Sequence, residues 1–461
     1  VAALCFYIDK TENFCIIPPM SVIDQIESAV DVVEKLQNAG HQAVFAGGCV
    51  RDMLLGVEPK DIDIATSASP DQVEGLFEKT VAVGKSFGVI RVLHDDYEFE
   101  VATFRKDSKE GDGRRPESVE FSSIQEDAKR RDLTINSIFL DPINDKILDF
   151  VGGQEDLKRK IIRMVGNPHE RIEEDKLRML RVIRFASRFG WRVEAVTHNA
   201  VIKHASEINV VSKERIADEL GKMFSHEKAH VAFRMMLEHD LWTHVLPQVG
   251  ELVNCKQDPK WHPEGDVFTH TELMLRNAGK NLVNNKVLAW AIILHDIGKP
   301  ATFAINEHGR ITAHGHAEVG SKMAREILEN LRFDSKTLEQ IVWLVDNHMR
   351  MFDVQKMKQA TRMKLIANEN FDNLLELHRL DCVSSNGNLE TFEFIKHVRE
   401  STPLSQIKPE RLVDGNDLIA LGLKPGIQFR EILEQIADLQ REGKVTDRAQ
   451  ALEKVKEILQ K

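Results

Sequence analysis

Asp61 and Asp63 stand one residue apart in the short apolar run DIDIAT. Alternate side chains of an extended strand share a face, so this spacing predicts two carboxylates side by side. Such a pair repels itself unless a cation lies between, and Mg2+ is the natural one, a hard ion held by carboxylates and substrate phosphates. Two such metals would activate a 3′-hydroxyl and stabilise a leaving pyrophosphate. Upstream, Gly47 and Gly48 follow an apolar strand and precede a helix expected over 50–55, where backbone N–H groups can approach phosphate oxygens. Arg51 and Asp52 fill the space between glycines and aspartates. Alone, a glycine pair or an Asp-x-Asp is a common solvated turn; in this order they are far more specific.

Further polar groups follow in the chain. Glu98 and Glu100 alternate outward in EFEVATFR; Glu100 is the favoured third carboxylate of the metal site, and a solvated strand face fits the pair equally well. RRDLTINS offers Arg130 and Arg131 for phosphate, with Asp132 and Asn136 as hydrogen-bond partners; a surface ion pair is the plainer reading. In EEDKLRMLRVIRF, Asp175 and Arg178 are three apart, which on a helix places them on one face. A carboxylate and a guanidinium so placed match the edge shared by adenine and cytosine, an amino donor beside a ring-nitrogen acceptor. An ordinary helix salt bridge fits the same spacing. Basic residues recur at Lys158, Arg159, Lys160 and Arg163, and again at Arg181, Arg184, Arg188 and Arg192, as a phosphate track or a solvated face.

A second set lies downstream: His270 in VFTHTELML, His295 and Asp296 in AIILHDIGKP, and Asp381 in LHRLDCV. Imidazole with carboxylate suits a divalent metal such as Mg2+, Mn2+, Ni2+ or Fe. His314 or His316, with His348, could hold a second ion.

The elements that must position these groups change in texture along the chain. Residues 21–150 mix a leading helix with short β-rich runs, HQAVFAGG, DIDIAT, GVIRVLH and YEFEVATF, punctuated by Gly and Pro. Beyond Gly153 helical periodicity dominates. We expect an α+β protein: an extension over 1–20, a mixed α/β head over 21–150, a helical neck over 151–255, a helical domain over 256–400 and a helical tail over 401–461. The stretches 254–266 and 401–415, rich in Pro, Gly and charge, read as linkers. At 461 residues the chain is too long for one core. No apolar run reaches the ~18–20 residues of a membrane span. The net charge of −11 excludes an overall basic coat but not local basic patches. Five scattered cysteines without a CxxC pair fit a reducing cytoplasm, and no signal peptide is evident.

The block AGGCVRDMLLGVEPKDIDIAT, then EVATFR, GRRP at 113–116, RRDLTINS and EEDKLRMLRVIRF, resembles the class II tRNA nucleotidyltransferase and bacterial poly(A) polymerase family over about residues 30–219. The resemblance implies a polymerase-β-like head with Mg2+ as cofactor and Asp61, Asp63 and Glu100 as catalytic residues. It also implies nucleotide contact by Gly47, Gly48, Arg51, Arg130, Arg131, Asp132, Asn136, Arg181 and Arg184, and selection of ATP and CTP by Asp175 and Arg178. The partner implied is RNA, with tRNA and a CCA terminus leading; A-only addition or a poly(A) polymerase runs on the same motifs. The polar loop RKDSKEGDGRRPESVE is full length for that family, which weighs against CC-only addition. SKERIADELGKMF is similar to a family segment behind the nucleotide pocket. The downstream H…HD…D order resembles the HD phosphohydrolase superfamily, which implies a possible second metal site and hydrolysis as a rival main activity.

Overall fold

The computed structural model describes residues 20–82, 84–106 and 120–460. The extension over 1–19 and the GRRP motif fall outside the described residues. Seven strands form one sheet: β1 (Ala43–Ala46), β2 (Asp63–Thr66), β3 (Thr80–Val81), β4 (Val89–His94), β5 (Tyr97–Thr103), β6 (Ile138–Asp141) and β7 (Lys146–Asp149), in the order β3-β4-β5-β2-β1-β6-β7. All pairs are antiparallel except β2 with β5. β1 is buried along its whole length, as a central strand flanked on both sides and covered on both faces should be. β5 alternates instead, with Phe99, Val101 and Thr103 inward and Glu98 and Glu100 exposed.

The parallel register sets Asp63 directly beside Glu100. Asp63 opens β2, whereas Asp61 lies just ahead of the strand in a bend. The expectation that both aspartates ride one strand is corrected here. β1 leaves the sheet after Ala46 for Gly47, so the ladder has no partner on that side beyond Asp63.

The chain divides into two compact units, residues up to 223 with 231–245, and 224–230 with 246–461. Head and neck thus share one unit, and the division near 245 falls ahead of the sequence boundary at 255. In the first unit, the helices Pro168–Glu174, Arg178–Phe189 and Lys213–Phe224 follow the sheet. The second unit is helical apart from one two-stranded ribbon. At its centre is the helix Lys286–Leu294, whose residues Leu288 to Leu294 are all buried. The helices Gly415–Ala420, Ile427–Arg441 and Arg448–Leu459 close on a small core of their own around Leu418, Ile432, Ile436 and Val455. Among the described residues, no helix is long and apolar enough to cross a membrane.

Candidate active site and a histidine-rich centre

Gly47 turns the chain from β1 into the helix Gly48–Leu54 with φ of 76°, a conformation glycine adopts without strain. A Cβ there would sit 2.8 Å from Arg131 Nη1, so the missing side chain also admits a guanidinium against the backbone. Arg51, one turn on, is 3% exposed. It donates to Asp52 Oδ1 at 2.9 Å and to Asn136 Oδ1, and its guanidinium lies 5.2 Å from the ring centres of both Phe185 and Phe189. Arg130 and Arg131 straddle the buried Asp127, which takes one on each oxygen. Asp132 accepts from Arg181 Nε at 2.6 Å, from Leu133 N–H and from Asn136 Nδ2. Burial alone would raise its carboxyl, but Arg181 outweighs that and holds it at about 2.

Arg51, Arg130, Arg131, Asp132, Asn136 and Arg181 line a cleft of about 480 Å³ with Gly47, Gly48, Asp63, Asp175, Arg178, Phe185, Arg188 and Arg215. Asp61 and Glu100 do not line it. Although open to solvent, the Asp63 carboxyl is pushed up to about 6 by desolvation and by Glu100 and Asp61, against the pull of Arg131. A carboxylate under that repulsion fits a cation-binding position. The three carboxylates do not form a tight cluster; among the described residues such clusters lie elsewhere.

The Asp175–Arg178 pair differs from expectation in its backbone. Asp175 ends the helix Pro168–Glu174 with extended dihedrals, and Arg178 begins the next helix. They share a break rather than a helical face. Asp175 stabilises that break by accepting from Leu177 N–H at 3.1 Å. Its other oxygen is held by Arg215 at 2.7 Å. Arg178, 8% exposed, is anchored by Glu174 Oε2 and the carbonyls of Arg171 and Arg130. Both side chains are therefore fixed before any ligand arrives. Arg215 was missed as a site residue because nothing in its local pattern separates it from a solvated helix face. Arg184 is tied to Glu219 at 2.5 Å and is not among the cleft-lining residues. Lys158, Arg159 and Lys160 are exposed, while Arg163 is committed to Asp156 and Glu194.

In the second unit five elements converge. His270 comes from the helix Val267–Ala278, His295 and Asp296 from the end of Lys286–Leu294, and His316 from the start of His316–Asn330. His348 follows Ser335–Asn347, and Asp381 lies on Phe371–Ser384. Gly298 permits this: a Cβ there would meet His316 O at 2.3 Å. Every imidazole is held by Nδ1, His295 on Ile292 O, His316 on Ala313 O, His348 on Val345 O and His270 on Glu264 Oε1. That leaves each Nε2 facing its neighbours. His316 and His348 approach one Asp296 oxygen at 3.3 and 3.8 Å, and His295 the other at 3.1 Å. His270 Nε2 lies 3.3 Å from Asp381 Oδ1. The Nε2 atoms of His270 and His295 are buried with no aligned hydrogen-bond partner among the described residues. Locked tautomers and orphaned ring nitrogens suit a divalent metal. Burial pushes His348 down to about 3, whereas the carboxylates of Asp381 and Glu264 override burial and lift His270 to about 9. His316, not His314, joins the cluster; His314 lies on the wall of an adjoining cavity of about 480 Å³. His262 and Glu264 lie in the stretch whose Pro, Gly and charge read as a linker, and no local signal singles them out.

A sheet-borne carboxylate beside an arginine-lined cleft defines a nucleotidyltransferase, and the helical unit carries an HD-type centre. Residues 43–163 match the poly A polymerase head domain, 190–252 the probable RNA and SrmB-binding site of polymerase A, and 266–380 the HD domain. The chain is 31% identical over 427 residues to the CCA-adding enzyme of Bacillus subtilis, covering 92% of this chain and 96% of that enzyme. It is 46% identical over 215 residues to that of Bacillus pumilus, covering 46% and 54%. The Bacillus stearothermophilus CCA-adding enzyme in complex with CTP superposes with a TM-score of 0.73 at 26% identity, covering 94% and 98%. The chain belongs to the CCA-adding enzyme family. Divalent-metal dependence comes with that family's nucleotidyl transfer.

Proposed function

We propose that this protein completes the 3′ end of tRNA, transferring CMP and AMP from CTP and ATP without a nucleic-acid template. The observation that carries the reading is the Asp175–Arg178 pair, fixed in an arginine-lined cleft beside Asp63. Asp175 accepts from the amino group of cytosine or adenine, and Arg178 donates to the adjacent ring nitrogen. Uracil and guanine present the reverse order and leave buried groups unpaired. Arg51, Arg130 and Arg131 hold the triphosphate against Gly47 and Gly48, with Asn136, Asp132 and Arg181 bracing Arg51 and Arg184 set behind them on Glu219. Asp61 and Asp63 would hold Mg2+ with Glu100 alongside, and the chemistry the ion would supply is neutralisation of charge on the entering hydroxyl and the leaving pyrophosphate. The chain's own groups orient the α-phosphate toward the RNA 3′-hydroxyl, and proximity accounts for much of the rate. The exposed Lys158, Arg159 and Lys160 follow the RNA backbone, beside Arg163, which is tied to Asp156 and Glu194. The solved relative bound to CTP supports the choice of nucleotide. The scattered cysteines support a cytoplasmic setting. Asp63→Ala tests the reading: CMP incorporation falls below about 1% of the parent, as for loss of a metal ligand, while tRNA still binds in a gel shift. Undiminished incorporation refutes it.

The locked Nε2 atoms favour a second reading for the helical unit. His270, His295, Asp296 and Asp381 hold one divalent metal, with His316 and His348 available to a second, and the chemistry such a centre supplies is phosphoester hydrolysis.

A further inference from the structure

The segment 254–266 reads as a linker in the sequence, yet it forms a wall of the histidine-rich centre. Gln257 Oε1 accepts from Lys299 Nζ at 2.7 Å, and Lys299 in turn lies 2.6 Å from Asp296 Oδ2. Trp261 and His262 line the cavity that also reaches Asp296, His316 and Asp381. Glu264 is the most committed member. One oxygen, Oε1, faces His270 Nδ1 at 2.6 Å and His262 Nδ1 at 2.8 Å. Its other oxygen is buried with no hydrogen-bond partner among the described residues. The side chain is 6% exposed. Burying a carboxylate this way is costly unless its neighbours need it.

His270 is the one cluster imidazole whose Nδ1 is held by a carboxylate rather than by a peptide carbonyl. A carboxylate in that position fixes the ring's orientation and makes the opposite nitrogen a stronger donor to a metal. Resting on the reading of this cluster as a metal centre, we propose that Glu264 is its positioning residue. It takes the Nδ1–H groups of His270 and His262 on one oxygen and presents His270 Nε2 to the metal. His262, held by the same oxygen, lies on the cavity wall. The strap is thus a working part of the centre, and the centre extends beyond the HD motif toward the N-terminus of the unit.

The test uses the full chain carrying Asp61→Asn and Asp63→Asn, so that metal binding reports the helical unit. Mn2+ is titrated by calorimetry, and imidazole nitrogen coupling to the bound ion is read by pulsed EPR. Glu264→Gln, whose amide oxygen can still accept both N–H groups but carries no negative charge to make His270 Nε2 a stronger donor, is expected to weaken Mn2+ binding about 10- to 100-fold and reduce the nitrogen coupling. Glu264→Asp, which keeps the charge, recovers part of that loss. Should Glu264→Gln fail to fold, Glu264→Asp alone must still weaken binding by at least about threefold, a fraction of that same loss. Parental affinity and coupling in the folded variants overturn the proposal and leave the metal centre standing. Absence of Mn2+ binding in the parent overturns both.

Discussion

Arg215→Met separates a tuned base-reading pair from a pair of cleft charges. Arg215 Nη2 lies 2.7 Å from Asp175 Oδ2, and the side chains are 22% and 16% exposed. Methionine keeps much of the stem and removes the guanidinium, leaving that oxygen without its partner. A hydrogen bond to a charged group contributes about 1.5–3 kcal/mol, and each ~1.4 kcal/mol is a tenfold change. Leu177 N–H still holds the other oxygen at 3.1 Å, so Asp175 stays in the cleft but can rotate. The expected result is a fall in kcat/KM for CTP of about 10- to 100-fold, with the CTP:UTP preference narrowing by a similar factor. Single-turnover extension of a tRNA transcript lacking CCA, with CTP or UTP alone, reads both quantities. A variant that slows with CTP while keeping its CTP:UTP ratio within about twofold would show that Arg215 only stabilises the neck, and would refute the reasoning.

Asp63, lifted to about 6, must lose its proton to bind a metal, so the apparent Mg2+ affinity of the head should drop about tenfold per pH unit below 6 and level off above it. Mg2+ titration at pH 5 and 7.5 checks this; equal affinities contradict it. Asp132 is held at about 2 against a usual 3.8, so its ion pair with Arg181 stabilises the fold above pH 4 and is lost as pH falls toward 2. Denaturant unfolding at pH 7 should show Asp132→Asn less stable by ~2 kcal/mol, with a shallower stability loss on acidification. An unchanged midpoint would remove that pair from the account. Gly298→Ala drives a Cβ into His316 O and should abolish calorimetric Mn2+ binding by the Asp61→Asn, Asp63→Asn chain; retained affinity would show that the turn at 298 relaxes without disturbing the ligands.

What the sequence made legible follows period and order. β1 and β5 announce themselves by apolar runs and alternation, and Glu100 faces outward as that alternation requires. The Gly47-Gly48-Arg51 turn and the Arg130-Arg131 pair are short-range features, readable because neighbouring residues stay neighbours; Arg215, far along the chain, is not. Asp61 was placed on the strand because period alone does not show where a ladder loses its partner. Asp175 and Arg178 were assigned one helical face, because the break between them depends on the Leu177 N–H and Arg215 contacts. Glu264 was hidden by composition: Pro, Gly and charge mark irregular backbone, and irregular backbone is where ligands can be oriented from outside a helix. The chain division near 245 depends on which helices pack together, and no local signal carries that.

The central claim is the ordered addition of two cytidylates and one adenylate, set by Asp175 and Arg178 with the metal at Asp61 and Asp63. Purified protein with Mg2+, CTP and ATP should be given three tRNA transcripts, ending before CCA, after the first C and after CC, with products resolved at single-nucleotide length. All three should be completed to CCA and stop there. AMP addition to the CC-ending transcript alone, unbounded AMP tails, or no extension at all would each contradict it.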